Sequence, residues 1–306
     1  MKILIATEKP FAPVAVKGIR EIAEAAGHTC ALLEKYTDKA HLLEAVADAN
    51  ALIIRSDKVD EAVMAAAPEL RIVVRAGAGY DNVDLDAATA HGIVVMNTPG
   101  QNANAVAELV IGLLIYTVRN RFDGTSGTEL RGKKLGLMAF GAVAQNVARI
   151  AKGIGMEISG FSPRNHPQKI QKAGFHVCTT ADELFRDNDI VSLHIPATPQ
   201  TKASIGYDLI SAMRPGAILV NSARKEIIDE AGLLKAMTER PDLRYVTDLK
   251  LAAHDEAVKV LGNRYVFTPK KMGAQTAEAN INAGLAAARQ IVGFLDHGDV
   301  TFQVNK

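Results

Sequence analysis

Three observations on the 306-residue chain predict an α/β fold of two doubly wound parallel-sheet domains. Short apolar runs alternate with amphipathic helical patterns, the alternation restarts midway, and a long breaker-free helical pattern separates the two series. Length agrees, because a single hydrophobic core rarely organises a chain of this size.

In the first series the buried strands are read at KILIA (2–6), ALIIRS (51–56), LRIVVRAG (70–77) and GIVVMN (92–97), with VAVKGIREIAEAAG (14–27) as a covering helix. The second series repeats the pattern at KKLGLMAFG (133–141), MEISGFS (156–162), DIVSLHIP (189–196), GAILVNSA (216–223) and RYVTDL (244–249). A weak echo supports two α/β units, since EAAGHTC (24–30) and KAGFHVC (172–178) both end a helix at Ala-Gly and enter a Cys-bearing strand; shared α/β geometry explains it without common descent. Long helical patterns at Asn102–Asn120 and Ala274–Gly298 read as crossovers. They predict a discontinuous first domain, residues 1–101 with 283–306, and a second domain over 102–282. Two crossovers make a hinge, with a cleft expected between the domains.

Composition narrows the function. The 35 Lys and Arg nearly cancel 34 Asp and Glu, leaving a formal charge of +1, so no basic excess recruits nucleic acid. The N-terminal MKILIATEKP has an apolar run far too short for a secretory core or a membrane span, and reads as a cytoplasmic strand. Cys30 and Cys178 have no metal-ligand spacing, so neither a zinc site nor a disulfide framework is expected and both read as core thiols.

The stretch from Leu130 to Asn165 has the strand, turn, helix and strand of a mononucleotide-binding unit. Its glycine fingerprint is degraded to Ala139-Phe140-Gly141-Ala142-Val143-Ala144. Gly141 stands where the backbone approaches a pyrophosphate and Ala144 where the helix packs on its strand; Ala139 is the departure, because the first turn prefers no Cβ. After the second strand an acid ordinarily receives the ribose hydroxyls, but Ser162 and Arg164 stand here. A hydroxyl and a guanidinium suit a 2′-phosphate, which makes NADP as well as NAD an expected cofactor. A solvated turn arginine explains Arg164 equally well.

Five stretches, RSDKV (55–59), VRAGAGYDNVDLDAAT (74–89), VMNTPGQNANAVAEL (95–109), VSLHIPATPQTK (191–202) and VNSARKEIIDEAGLL (220–234), resemble the D-isomer-specific 2-hydroxyacid dehydrogenases, and within them the phosphoglycerate dehydrogenases. The resemblance runs in one order along nearly the whole chain. It implies two Rossmann-like domains, a substrate-binding first domain and a dinucleotide-binding second. It implies reversible hydride transfer between a small phosphorylated 2-hydroxy acid and NAD or NADP, in a homodimer. By the same resemblance Phe140, Gly141, Ala142, Val143, Ser162, Arg164, His194, Ile195, Pro196, Thr201, Ala223 and Asp248 hold the cofactor. Arg55, Ser56, Lys58, Arg75, Ala76, Gly77 and Asn97 are the expected substrate-binding residues, Arg55, Lys58 and Arg75 offering charge for a phosphate at or near strand ends, although each of the three taken alone reads as a solvated surface charge. Arg224, at the carboxyl end of a buried strand, binds the substrate carboxylate and polarises the reacting oxygen. Longer members append regulatory domains, for which no room is expected here.

The chain departs from the family at two of three catalytic places. Ala253 stands where the family carries Glu, and TPKKMG (268–273) replaces the histidine-bearing PHxG with one extra residue. Lys270 fits the histidine slot by its distance from Pro269, Lys271 by its distance from Gly273, and Lys270 is favoured. A free lysine ammonium titrates near about 10.4, so service near neutrality needs a depression worth about 4 kcal/mol. Desolvation beside Arg224 and a cationic nicotinamide favours that direction, and the absence of Glu is consistent with it. His254 and Asp255 are nearby substitutes but fall in a polar helix expected to be exposed. Alternatives are another D-2-hydroxyacid dehydrogenase, of glyoxylate/hydroxypyruvate or lactate type, and a catalytically silent dinucleotide-sensing scaffold.

Overall fold

The computed structural model describes residues 1–162 and 167–305, which form two compact units. One comprises Met1–Asn102 and Ala274–Lys306, the other Ala103–Gly273.

The first unit is a parallel sheet of β1 (Lys2–Thr7), β2 (Thr29–Glu34), β3 (Ala51–Ile54), β4 (Ile72–Arg75) and β5 (Val94–Asn97), in the order β2-β1-β3-β4-β5. Its helices are α1 (Pro13–Ala25), α2 (Lys39–Val46), α3 (Glu61–Ala65), α4 (Leu85–Ala90) and α12 (Ala277–His297). All four residues of β3 are buried because helices cover both faces of the sheet. The period of two sorts them: Ile53, with Ile3, Ile5 and Val74, packs with Ile19 of α1 and Ala287 of α12, whereas Leu52 and Ile54 pack with Leu42 of α2 and Val63 of α3. The chain's last residues cover the outer edge of β5. The Val304 N–H donates to Val95 O at 2.8 Å, and Asn305 Oδ1 accepts the Val95 N–H at 2.8 Å. That satisfies backbone groups a bare edge would leave open.

The second unit has seven parallel strands, β6 (Lys134–Met138), β7 (Glu157–Phe161), β8 (His176–Val177), β9 (Ile190–Leu193), β10 (Ile218–Asn221), β11 (Arg244–Thr247) and β12 (Tyr265–Phe267). They lie in the order β12-β11-β10-β9-β6-β7-β8. The helices are α5 (Ala103–Val118), α6 (Ala142–Gly153), α7 (Pro167–Lys172), α8 (Ala181–Asp187), α9 (Tyr207–Ser211), α10 (Glu230–Glu239) and α11 (His254–Leu261). Strand order reverses between β9 and β6, and the carboxyl ends beside that switch point are where open α/β sheets take ligands.

Two elements differ from the sequence reading. The first crossover helix stops at Val118, because Asn120, Arg121 and Phe122 all take positive φ and turn the chain out of the helix. Asn120 Nδ2 holds this turn by donating to Thr125 Oγ1 and Ser126 O. The three-residue strand β12 is too short to show a period in sequence, yet it carries the chain into the lysine pair.

Candidate functional site

The turn expected to meet a dinucleotide starts where β6 ends. Ala139 takes φ 73°, a left-handed conformation in which a Cβ is disfavoured. A Cβ there costs about 1–2 kcal/mol, and the turn is retained with its N–H donating to Phe161 O at 2.7 Å. The Phe140 ring faces inward, edge-on to Phe175 with centroids 6.0 Å apart, so Phe140 offers a ligand its backbone alone. Gly141 is the N-cap of α6, and no side chain caps it. The exposed Ala142 and half-buried Val143 form the first turn, whose N–H groups and dipole suit an anion, while buried Ala144 seats the helix on its strand.

Gly141 has φ −77°, open to any residue, and a Cβ built on it meets nothing within 4 Å. Folding therefore does not require glycine here, whereas a close-lying pyrophosphate does. Gly141→Val is expected to leave the melting temperature unchanged and to weaken dinucleotide binding by about 100-fold or more, near 3 kcal/mol. Calorimetric titration with the dinucleotide checks it.

The strand order then sets the remaining candidates in a row along the carboxyl edge of the sheet: the lysine loop after β12, Asp248 after β11, Arg224 after β10, His194 after β9, the Ala139–Gly141 turn after β6 and Ser162 after β7. Arg164 lies outside the described residues.

Asp248 is buried, 1% exposed. Its Oδ2 accepts the N–H groups of Met272 at 3.0 Å and Gly273 at 2.8 Å, and its Oδ1 is buried with no hydrogen-bond partner. At the other end of the loop the Thr268 N–H donates to Thr247 O, and Thr268 Oγ1 donates to Lys270 O at 2.6 Å. The loop is thus pinned at both ends, with Lys270 and Lys271 exposed between the pins.

Arg224 is half-buried. Asn221, fully buried at the end of β10, shapes its turn by accepting the Ala223 N–H at 3.0 Å and donating to Arg224 O at 2.9 Å. The Arg224 guanidinium donates to Ala223 O at 2.9 Å, and no carboxylate among the described residues pairs with it. His194 Nε2 is buried without a partner, and burial pushes the imidazole down to about 4, so it is neutral at physiological pH. Ile195 is buried in the core and Pro196 exposed. Thr201 Oγ1 donates to Pro196 O at 2.6 Å and accepts the Thr198 N–H at 2.8 Å, which closes their loop. Ser162 is half-buried just beyond β7.

His254, expected to be exposed, is half-buried instead. Its ring packs edge-on to Phe267 at 4.7 Å, and Nδ1 lies 3.3 Å from the Tyr265 hydroxyl. The aromatic side chains of β12, invisible as a strand in sequence, cause the difference. Near Ala253 a carboxylate is present but engaged: Glu230 accepts the Ala252 and Ala253 N–H groups at 2.9 and 2.7 Å, serving the start of α11.

In the first unit the pairing register sets Ile54 beside Arg75 and Arg75 beside Asn97, so the ends of β3, β4 and β5 form a second carboxyl-end row. The Arg75 guanidinium lies over Gly77, where a Cβ would fall 1.4 Å from Arg75 Nη1. Gly77 takes φ 153°, Ala76 is buried, and Asn97 Nδ2 donates to Ala78 O at 2.6 Å. Arg55 is drawn into the protein's own framework. Its guanidinium donates to Lys9 O, Pro10 O and Asn280 Oδ1 at 3.0, 2.9 and 2.6 Å, and burial lowers its pKa. Ser56 and Lys58 are exposed, Lys58 lying 3.7 Å from Asp60. Asp57, which the sequence reading passed over, organises this end of the sheet by accepting from the Glu8 and Arg55 N–H groups and the Tyr36 hydroxyl. Burial, and then the hydrogen bond to this carboxylate, raise the Tyr36 pKa.

Residues 115–257 match the family model described as D-isomer specific 2-hydroxyacid dehydrogenase, NAD binding domain. The D-3-phosphoglycerate dehydrogenase of Methanocaldococcus jannaschii is 35% identical over 95% of this chain and 57% of its own length. The hydroxypyruvate reductase of Thermotoga maritima is 32% identical over 84% of this chain and 88% of its own. Among solved structures, NAD+-bound 3-phosphoglycerate dehydrogenase from Entamoeba histolytica is 48% identical, with TM-score 0.88, over 100% of this chain and 99% of that one. The chain spans about half the length of the curated phosphoglycerate dehydrogenases it matches.

Proposed function

The chain belongs to the D-isomer specific 2-hydroxyacid dehydrogenases, and from that membership we propose that it is a D-3-phosphoglycerate dehydrogenase, moving a hydride reversibly between 3-phosphoglycerate or 3-phosphohydroxypyruvate and a nicotinamide cofactor. The observation that carries the reading is the 48% identity, along the whole chain, to the phosphoglycerate dehydrogenase of Entamoeba histolytica. On this reading the enzyme acts in the cytoplasm at the entry to serine synthesis, as a homodimer. The exposed Ile115, Tyr116 and Phe122 support the last point, as apolar side chains suited to burial against a second copy. Among the described residues no helix is long and apolar enough to cross a membrane.

The residues present fit a nicotinamide dinucleotide. The start of α6 would take the pyrophosphate, and the orphaned Asp248 Oδ1 is an acceptor suited to a carboxamide N–H. When bound, the nicotinamide supplies the hydride chemistry. Arg224 holds the substrate carboxylate and polarises the reacting oxygen, and Lys270 donates a proton to that oxygen in reduction and accepts it in oxidation. Neutral His194 adds no further positive charge to a row that already carries Arg224 and the lysine pair.

In the first unit Arg75, beside Ala76, Gly77 and Asn97, is the group assigned to the substrate phosphate. Arg75→Met is expected to raise KM for 3-phosphohydroxypyruvate by about 10- to 150-fold, the equivalent of a charged hydrogen bond worth about 1.5–3 kcal/mol. KM for hydroxypyruvate, which lacks the phosphate, should stay within about twofold. Steady-state reduction of both keto acids tests the proposal. An equal loss on both would favour a glyoxylate or hydroxypyruvate reductase indifferent to phosphate.

A further inference from the structure

We propose that His176, Cys178 and Glu183 form a transition-metal site at the β8 edge of the second unit, with the donor chemistry of a Zn2+ centre. One ligand atom from each residue lies within 4.8 Å of the other two. Cysteine spacing does not foreshadow this, because the three residues come from a strand, the residue following it and a helix.

The strand explains the first two ligands. β8 pairs with β7 through Ser159↔His176 and Gly160↔Val177, and the Cys178 N–H extends the ladder to Gly160 O at 2.9 Å. Residues two apart on an extended strand face the same way, so the imidazole and thiol share a side. Glu183 comes from the first turn of α8, where its N–H donates to the capping Thr180 hydroxyl at 3.1 Å. Its Oε2 accepts the N–H and hydroxyl of Thr179, both at 2.7 Å, which fixes the carboxylate as an outer partner fixes a metal ligand. Oε1 remains, 3.6 Å from His176 Nε2.

Distance and donor type decide the ion. Zinc bonds of about 2.0–2.3 Å in a tetrahedral site put ligand atoms roughly 3.3–3.7 Å apart, so the cluster must contract by about 1 Å. His176 is exposed and can swing inward, while Cys178 and Glu183 are already held. A thiolate with an imidazole suits zinc and other soft or borderline ions, whereas Mg2+ and Ca2+ select oxygen ligands. An ion pair needs His176 and Glu183 alone, and core packing accounts for the burial of Cys178; what a metal site adds is the convergence of all three donor atoms. Binding releases the thiol proton to solvent, involves no redox change and leaves one coordination position for water. The bound ion would clip the two-residue edge strand β8 to α8.

The test titrates the chelator-stripped 306-residue chain with Zn2+ against a chromophoric competitor, and in parallel with Co2+. One equivalent per chain should bind, and Co2+ should give the near-ultraviolet band of a cobalt thiolate. Both signals should persist in Cys30→Ser and vanish in Cys178→Ser. They should weaken at least about 10- to 100-fold in His176→Ala, whose exposed side chain can be removed without disturbing the fold. Absence of stoichiometric binding by the wild type, wild-type binding by His176→Ala, or a band that follows Cys30 instead of Cys178 would overturn the proposal.

Discussion

Arg224→Ala is expected to remove measurable turnover while the melting temperature and dinucleotide affinity stay near wild type. Among the described residues the guanidinium's hydrogen bond is to Ala223 O, and the turn that presents it is built by the buried side chain of Asn221, so the turn does not depend on it. What it provides is positive charge at the carboxyl end of β10, one strand from Asp248 and two from the lysine loop. Losing a group that stabilises charge on the reacting oxygen costs about 3–4 kcal/mol, or about 10²–10³ in kcat, and losing the carboxylate contact raises KM as well. Arg224→Lys should recover a minor part, because an ammonium cannot grip a carboxylate with two parallel bonds. Near-wild-type kcat/KM in the alanine variant would remove Arg224 from the site.

The second large effect is expected at Lys270. Lys270→Met should lower kcat by about 10²–10⁴, the range for loss of positioned acid–base catalysis, with dinucleotide affinity little changed. Lys271→Met should be tolerated unless the extra residue sets the other register. The pH profile carries an independent sign. The proton-transferring group must be neutral to accept in oxidation and charged to donate in reduction, so oxidation should rise with pH and reduction fall, and the variant should lose that limb. The loop's construction makes the test clean. Thr268 and Asp248 pin its backbone, so replacing the exposed Lys270 side chain leaves those backbone pins in place.

Much of this was legible in sequence because parallel sheets buried on both faces write themselves as continuous apolar runs. ALIIRS and AILVN could be read as strands without the structure, and a residue following such a strand is placed at a carboxyl edge by topology alone. Side-chain engagement was not legible. An arginine after a strand reads alike whether it awaits a ligand, as proposed for Arg224, or is stapled to its own chain, as Arg55 is by Lys9, Pro10 and Asn280 from distant parts of the sequence. Asp57 in RSDKV looks like a solvated acid, and only folding brings Glu8, Tyr36 and Arg55 to it. His254 sits among charged residues, and its burial depends on Tyr265 and Phe267, which belong to a strand too short to announce itself.

The central claim is that a lysine loop, held by Asp248 beside Arg224, serves in this chain where the family places a histidine. Its most direct measurement is steady-state reduction of 3-phosphohydroxypyruvate, followed with NADH and with NADPH, by the wild type and by the Lys270→Met/Lys271→Met double variant. Turnover by the wild type and its loss in the double variant are expected, with dinucleotide binding retained in both. Full activity and an unchanged pH profile in the double variant would contradict it.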